Sequence, residues 1–407
     1  MLVITFFKKN ILKIFNFKIL FKSPKHYKLI IFDDTGISDL TNVINDFNYF
    51  VLKTRIDSVK EVYISLSIIF NLIKNYRGNL WSSYLISIIE IIRPKVVLTF
   101  IDNSFKFHEI AKFLSKKIIF CAIQNGARYD IKRYKNKFLK QIEKKDLTKK
   151  FYIPNFFCFG QFEKDNYIHN NIKVENFIKV GSIRFANFLK KYSKNKDSFL
   201  SQKIKYDICF ISDAFIIGLD KKEGILGMEA SAGEFCRYIV RFAMCNKMRF
   251  ICAFKRINSS EANFNQELAF YKKYLNNIEF KYLLENSTLK LKKNNYLSYE
   301  VMLESDTVVS TYSTMLRENL SIGRKILSCN LIPTNVFDFP LNGICSINRC
   351  SYYEFEERLL KIFNMSNYDF LNSIKHNGFD LNYLMEFDKN YSSLDKIKCK
   401  LKSYLDI

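Results

Sequence analysis

Short β-branched and aromatic runs alternate along the chain with longer stretches whose apolar residues recur at helical spacing, the pattern of parallel βαβ units. In the first half these runs predict strands at 28–32, 95–100, 118–123, 156–159 and 177–180. Helices are predicted near 62–75, 82–92 and 105–114. A polar, charged stretch at 190–205 reads as a short linker, after which a second series begins. It predicts strands at 206–211, 249–254, 307–310 and 325–328, and helices at 232–245, 262–275 and 315–321. From about residue 351 only helical patterns remain. The fold class expected is α/β, with two facing Rossmann-like domains (28–189 and 206–350) and a C-terminal helical stretch (351–407).

Length and composition sharpen this picture. At 407 residues the chain favours two or three domains, and 48% hydrophobic residues suffice for real cores. Phe (40) and Tyr (24) far outnumber Gly (12) and Pro (5), which excludes collagen-like and low-complexity readings. The ten cysteines form no C-x-x-C pair and most lie in apolar runs, as buried free thiols of a reducing cytoplasm would. Four scattered histidines make a Cys/His zinc site an outlying reading, and no metal or cofactor is expected. No apolar run reaches the roughly 18–20 residues a spanning helix needs.

The net charge of +24 is spread along the chain, in a Lys-, Ile- and Asn-rich composition typical of AT-rich coding. Residues 1–27 stand out. Lys8, Lys9, Lys13, Lys18 and Lys22 interleave with Phe7, Ile11, Phe15 and Ile19, and no acid precedes Asp33. This reads as a basic amphipathic segment lying on an anionic membrane surface, or as a first strand and helix with a solvated basic face.

Ligands of open α/β sheets sit beyond the carboxyl ends of strands. There the first half places Asp33-Asp34-Thr35-Gly36, then Asp102-Asn103-Ser104, then Gln124-Asn125-Gly126-Ala127-Arg128. Asp102 or Asp34 is a candidate general base. Asn103, Gln124, Asn125 and Gly126 are candidates to fix an acceptor hydroxyl, and Arg128 to meet an anion. Each alone also reads as a cap or turn residue.

The second half carries its most specific pattern at Ser305–Glu318. A strand runs into Ser310-Thr311-Tyr312-Ser313-Thr314, and a helix follows with Glu318 one turn beyond Thr314. Unpaired N–H groups at a helix start attract phosphate, and a carboxylate one turn later can accept both hydroxyls of a ribose. Lys255 and Arg256, at another strand end, are candidates to neutralise a leaving phosphate. Tyr299, Gly181 and Ser182 are further donor-side candidates. No G-x-G-x-x-G follows a strand and no P-loop or G-x-S-x-G elbow occurs, so dinucleotide oxidoreductases, P-loop NTPases and serine hydrolases are disfavoured.

At these residues the chain resembles bacterial surface-carbohydrate (lipopolysaccharide and capsule) biosynthesis proteins with a GT-B-type glycosyltransferase fold. The likeness rests on Asp102-Asn103, Gln124–Arg128, Phe159-Gly160, Val180-Gly181-Ser182-Ile183-Arg184 and Val309–Thr314 with Arg317-Glu318. The Ser/Thr-rich turn is similar to the nucleotide end of CDP-glycerol phosphotransferases and of CMP-sugar-using capsule enzymes. Where those relatives often carry His-Pro, this chain has Lys255-Arg256. The resemblance implies a CMP-, CDP- or UDP-linked sugar donor in the second domain and a glycan or lipid-linked acceptor in the first. Fixed cations and a helix dipole at the leaving phosphate make metal-independent transfer the expected reaction, and the basic charge places the enzyme at the inner face of the cytoplasmic membrane, near lipid-linked acceptors. Polyol-phosphate transfer and sugar-nucleotide epimerisation are the alternatives on the same fold. From another class comes a non-catalytic basic membrane- or nucleic-acid-binding protein. Dispersed lysines and aromatics placed inside apolar runs disfavour nucleic acid as a partner.

Overall fold

The structure is a computed structural model that describes residues 18–55, 58–128, 151–192, 203–214, 217, 227–375, 380–388 and 392–406. Most of the basic N-terminal segment, residues 1–17, lies outside the described residues.

In chain order the first half supplies β1 (Lys18–Leu20), β2 (Leu29–Phe32), β3 (Tyr49–Leu52), β4 (Glu61–Tyr63), β5 (Val96–Thr99), β6 (Ile119–Ile123), β7 (Tyr152–Cys158) and β8 (Lys173–Lys179). Six of these form one parallel sheet in the order β3-β2-β5-β6-β7-β8, while β1 pairs with β4 apart from it. The second half supplies β9 (Tyr206–Ile211), β10 (Phe250–Ala253), β11 (Ser305–Ser310), β12 (Lys325–Asn330) and β13 (Ser346–Asn348). They form a second parallel sheet in the order β10-β9-β11-β12-β13.

Strands such as LIIF, VVLT and FICA are buried along their whole length, because helices cover both faces of a parallel sheet. The expected α/β class with two Rossmann-like halves is therefore the observed one. In each sheet the strand order reverses once, between β2 and β5 and between β9 and β11. A crevice opens outside the carboxyl ends at such a switch point.

Differences from the expected elements have local causes. The helix expected over 62–75 is split: Glu61–Tyr63 pairs with β1, and Ser65 then caps a shorter helix, Leu66–Lys74, by accepting from the Ile68 N–H. Edge strand β3 and the helices Ile37–Ile44, Gln161–His169 and Asn277–Glu285 went unread, their apolar faces being short or diluted by polar residues. The linker region is helical as far as Tyr192, and residues 193–202 lie outside the described residues.

After helices Tyr352–Phe363 and Asn367–Lys375 the chain returns to the first domain. Its last helix, Ser393–Leu405, sets Leu394, Ile397, Leu401 and Leu405 against Leu29, Leu98, Cys121 and Phe157 of the first sheet. The crossing is close. Glu386 N–H donates to the Phe159 carbonyl at 2.8 Å. A Cβ on Gly160 would lie 2.7 Å from the Tyr383 oxygen, and one on Gly181 (φ +80°) 2.2 Å from the Glu386 oxygen. Those two glycines are where the sequence lets one backbone pass over another.

Candidate active site in the interdomain cleft

The two switch points meet. Helix Thr314–Ser321 follows β11 and projects towards the turn after β6, where Thr314 Oγ1 accepts from the Ala127 N–H at 2.9 Å. Below this contact lies a fully buried ion pair between domains. Arg317 Nη1 donates to Glu163 Oε1 at 2.5 Å, and Nη2 donates to the Tyr312 hydroxyl (2.9 Å) and the Arg128 carbonyl (3.2 Å). Gln124 joins the same knot: its amide donates to Glu163 and to the Gly126 carbonyl, and its oxygen accepts from the Phe159 N–H. Burial pushes the Glu163 carboxyl up, and the Arg317 charge opposes that shift.

Above the knot is a cleft of about 850 Å³. The first domain lines it with Ser38, Asp39, Asn125, Gly126, Ala127, Ser182 and Arg184. From the second come Ser212, Asp213, Lys255, Tyr296, Tyr299, Tyr312, Ser313, Thr314 and Glu318, among others.

Glu318 is the best-developed feature. Its side chain is buried at the cleft wall, where Oε1 accepts from Ser182 Oγ at 2.5 Å and from the Tyr299 hydroxyl at 3.0 Å. Oε2 is buried and has no hydrogen-bond partner. Burial pushes the carboxyl up to about 7, against the pull of the Ser182 and Tyr299 hydrogen bonds and of Arg184. A buried carboxylate oxygen without a donor is costly, and a ligand hydroxyl reaching it would relieve that cost.

The phosphate side is built from the same strand ends. Ser313 caps helix Thr314–Ser321, accepting from the Met315 N–H, and the helix start (Ser313, Thr314 and Met315) lines the cleft. Asp213 is wholly buried. It accepts from Ser310 Oγ (3.0 Å) and from the Thr311 N–H (3.2 Å), which fixes the β9 and β11 ends together. Burial raises its carboxyl to about 6. Lys255 lines the cleft, with desolvation pulling its ammonium down and the Asp213 and Glu267 carboxylates pushing it back up. Glu267 also accepts from the Lys255 and Arg256 N–H groups, anchoring the basic turn.

The sequence-predicted residues separate cleanly on this frame. Ser182, Asn125, Gly126, Lys255, Tyr299, Tyr312, Ser313, Thr314 and Glu318 come together on the cleft. Ser310 and Thr311 lie beneath it and hold Asp213. Gly181 sits under the returning chain. Arg256 turns away, its guanidinium donating to Gln266 and to the Ala214 carbonyl. Asp102 is fully buried and clamped by the Arg128 guanidinium, while also accepting from the Asn125 N–H. It orders the Gln124–Arg128 turn and is absent from the cleft lining. Exposed Asn103 and the Lys53- and Arg55-paired Asp34 are likewise off the lining.

Asp39 was missed. It stands in the first turn of helix Ile37–Ile44, lines the cleft, and its Oδ2 accepts from Arg184 Nε at 2.9 Å. Its sequence signal was the acid just beyond Asp33-Asp34-Thr35-Gly36, inside a helix too short to read. Among the described residues no three His, Cys, Asp or Glu side chains are grouped as a metal site.

No protein-family model and no curated protein matches the chain by sequence. Solved structures do match by fold. The UDP-GlcNAc 2-epimerase of Methanocaldococcus jannaschii, solved with UDP-GlcNAc and UDP, aligns at 12% identity with a TM-score of 0.51, covering 92% of this chain and 99% of that one. The wall teichoic acid polymerase TagF aligns at 9% identity with a TM-score of 0.50, covering 93% and 89%. The fold is GT-B. At such identities the likeness carries the two-domain architecture and nothing about chemistry.

Proposed function

We propose that the chain is a sugar-nucleotide enzyme that transfers a glycosyl group from a nucleotide-linked donor to a hydroxyl of a glycan or lipid-linked acceptor. The observation that carries this reading is Glu318, which holds a buried, donorless oxygen one helical turn from a phosphate-seeking helix start. That pairing suits a ribose diol joined to a diphosphate or monophosphate. The fold shared with an epimerase solved with UDP-GlcNAc and UDP is consistent with it.

In this reading Lys255, the start of helix Thr314–Ser321 and the Ser313 and Thr314 hydroxyls stabilise the phosphate as it departs. Asp39 is the base on the opposite wall. It takes the proton of the acceptor hydroxyl while the new C–O bond forms, and the electron pair of the broken bond leaves on the phosphate oxygen. Asp102 acts through the turn it orders and touches no substrate. Surface-polysaccharide acceptors and work at the inner face of the cytoplasmic membrane belong to the same proposal.

Epimerisation is the second reading. Inverting a carbon that bears hydrogen needs proton transfer on both faces of the ring. Among the described residues the carboxylates on the cleft are Asp39, Asp213 and Glu318, and the last two are fully buried and hydrogen-bonded, Asp213 to Ser310 within the second domain and Glu318 to Tyr299 and, across the domains, to Ser182. That inventory favours transfer.

A panel of radiolabelled sugar nucleotides with oligosaccharide and lipid-linked acceptors tests the proposal. Transfer is expected with one donor, with Asp39→Asn retaining nucleotide affinity but losing turnover. A new epimer formed without acceptor would replace transfer by epimerisation. Thermal shifts by CMP and CDP but not UDP would point to the polyol-phosphate alternative. Absence of binding to every nucleotide would sink all three.

A further inference from the structure

Helix Leu66–Lys74 is amphipathic, and it wears its apolar face outward. Ile68 is its one buried residue, while Leu66 (87% exposed), Ile69 (44%), Phe70 (70%) and Ile73 (70%) follow the i, i+3, i+4, i+7 pattern into solvent. Phe21, just beyond β1, is 83% exposed. It lies beside the same helix, because Ser23 Oγ shares hydrogen bonds with Ser65 and Ser67 in the helix's first turn. Surface helices of globular proteins turn such a stripe to the core, and isolated exposed apolar residues do not line up at helical spacing by accident of packing.

The charges around the stripe say what covers it. Residues 18–28 and 58–80, which carry and surround it, hold Lys18, Lys22, Lys25, Lys28, Lys60, Lys74 and Arg77 against a single carboxylate, Glu61. The chain leading into β1 adds Lys8, Lys9 and Lys13 and no acid. A cover made of residues 1–17, or of the same patch on a second copy, would bring cations against cations. An anionic bilayer meets both features, taking apolar side chains into its acyl boundary while its headgroups neutralise the lysine rim.

We propose that the helix Leu66–Lys74, with Phe21, is a membrane-docking face that inserts into anionic lipid. This stands independently of the chemistry in the cleft, and apart from Phe21 its inserting residues lie outside the basic N-terminal segment.

The full chain is sedimented with vesicles of phosphatidylcholine alone and of phosphatidylcholine mixed with phosphatidylglycerol. Binding is expected only to the mixed vesicles and should weaken with salt. The double variant F70S/I73S should lose about tenfold or more in partitioning, since two side chains no longer enter the acyl boundary. The variant Y353S/Y368S, altered at two residues each 74% exposed elsewhere, should bind as wild type does. As an independent readout, F70W should be quenched by brominated lipid in the mixed vesicles, and Y353W should not. Undiminished binding by F70S/I73S, or an unquenched F70W, overturns the proposal. So does a dimer in light scattering that F70S/I73S dissolves without any vesicle binding by wild type, which would make a second copy the occupant.

Discussion

Replacing Arg317 with Met removes the cationic half of the pair at the base of the cleft. Arg317 and Glu163 are 1% and 0% exposed. The change deletes the 2.5 Å bond to Glu163, the bonds to the Tyr312 hydroxyl and the Arg128 carbonyl, and the guanidinium's contact with the Phe162 ring. Glu163 Oε2 already lacks a partner, so the carboxylate would be left buried with only Gln124. Breaking one side of a buried pair costs about 3–5 kcal/mol. The pH dependence carries the diagnosis. With the opposing cation gone, the Glu163 carboxyl rises further above its unfolded value. The protonated form then contributes stability that is present at acid pH and lost as pH rises. The deficit of R317M relative to wild type should accordingly be small near pH ~5 and largest near pH ~8. Urea unfolding at both values measures it, and the double variant E163L/R317M should recover to within about 1–2 kcal/mol of wild type because no charge stays buried. A deficit below about 0.5 kcal/mol at the higher pH, or simple additivity in the double variant, would refute the claim that this pair joins the domains.

Glu318 titrates with opposite consequences for stability and binding. Its raised value means that the apo protein should lose stability as pH climbs through about 7, while nucleotide affinity rises over the same range as the carboxylate forms. In E318Q both trends should flatten, and calorimetry at several pH values reads this; parallel profiles would count against the ribose assignment. Gly181→Ala places a Cβ 2.2 Å from a backbone oxygen at φ +80°, so it should destabilise by more than about 1 kcal/mol and hasten proteolysis in the returning segment near Glu386. Asp102→Asn weakens the Arg128 clamp and should lower stability by about 1.5–3 kcal/mol. If its melting point is unchanged and only turnover falls, Asp102 rather than Asp39 is the base.

Much of the architecture was fixed by local pattern alone. Buried parallel strands must be apolar along their length, so LIIF, VVLT and FICA announce themselves, and the polar residues just after them mark the carboxyl edge where ligands gather. The Ser310–Glu318 stretch is legible for the same reason: helix start, hydroxyls and carboxylate sit within three turns of one another. What sequence could not say is which of those polar groups face the cleft and which are consumed in holding it. Asp102, Gln124 and Arg128 look like ligands in a string of letters, and become internal fasteners only once β6, β7 and helix Thr314–Ser321 are brought together. Asp39 reaches the cleft because the short helix after β2 lies across from the second domain. Gly160 and Gly181 carry meaning only through a chain end that returns more than two hundred residues later. Hydrophobic periodicity is a property of neighbours in sequence, whereas the fate of a polar side chain is decided by partners that only the tertiary fold brings within bonding distance.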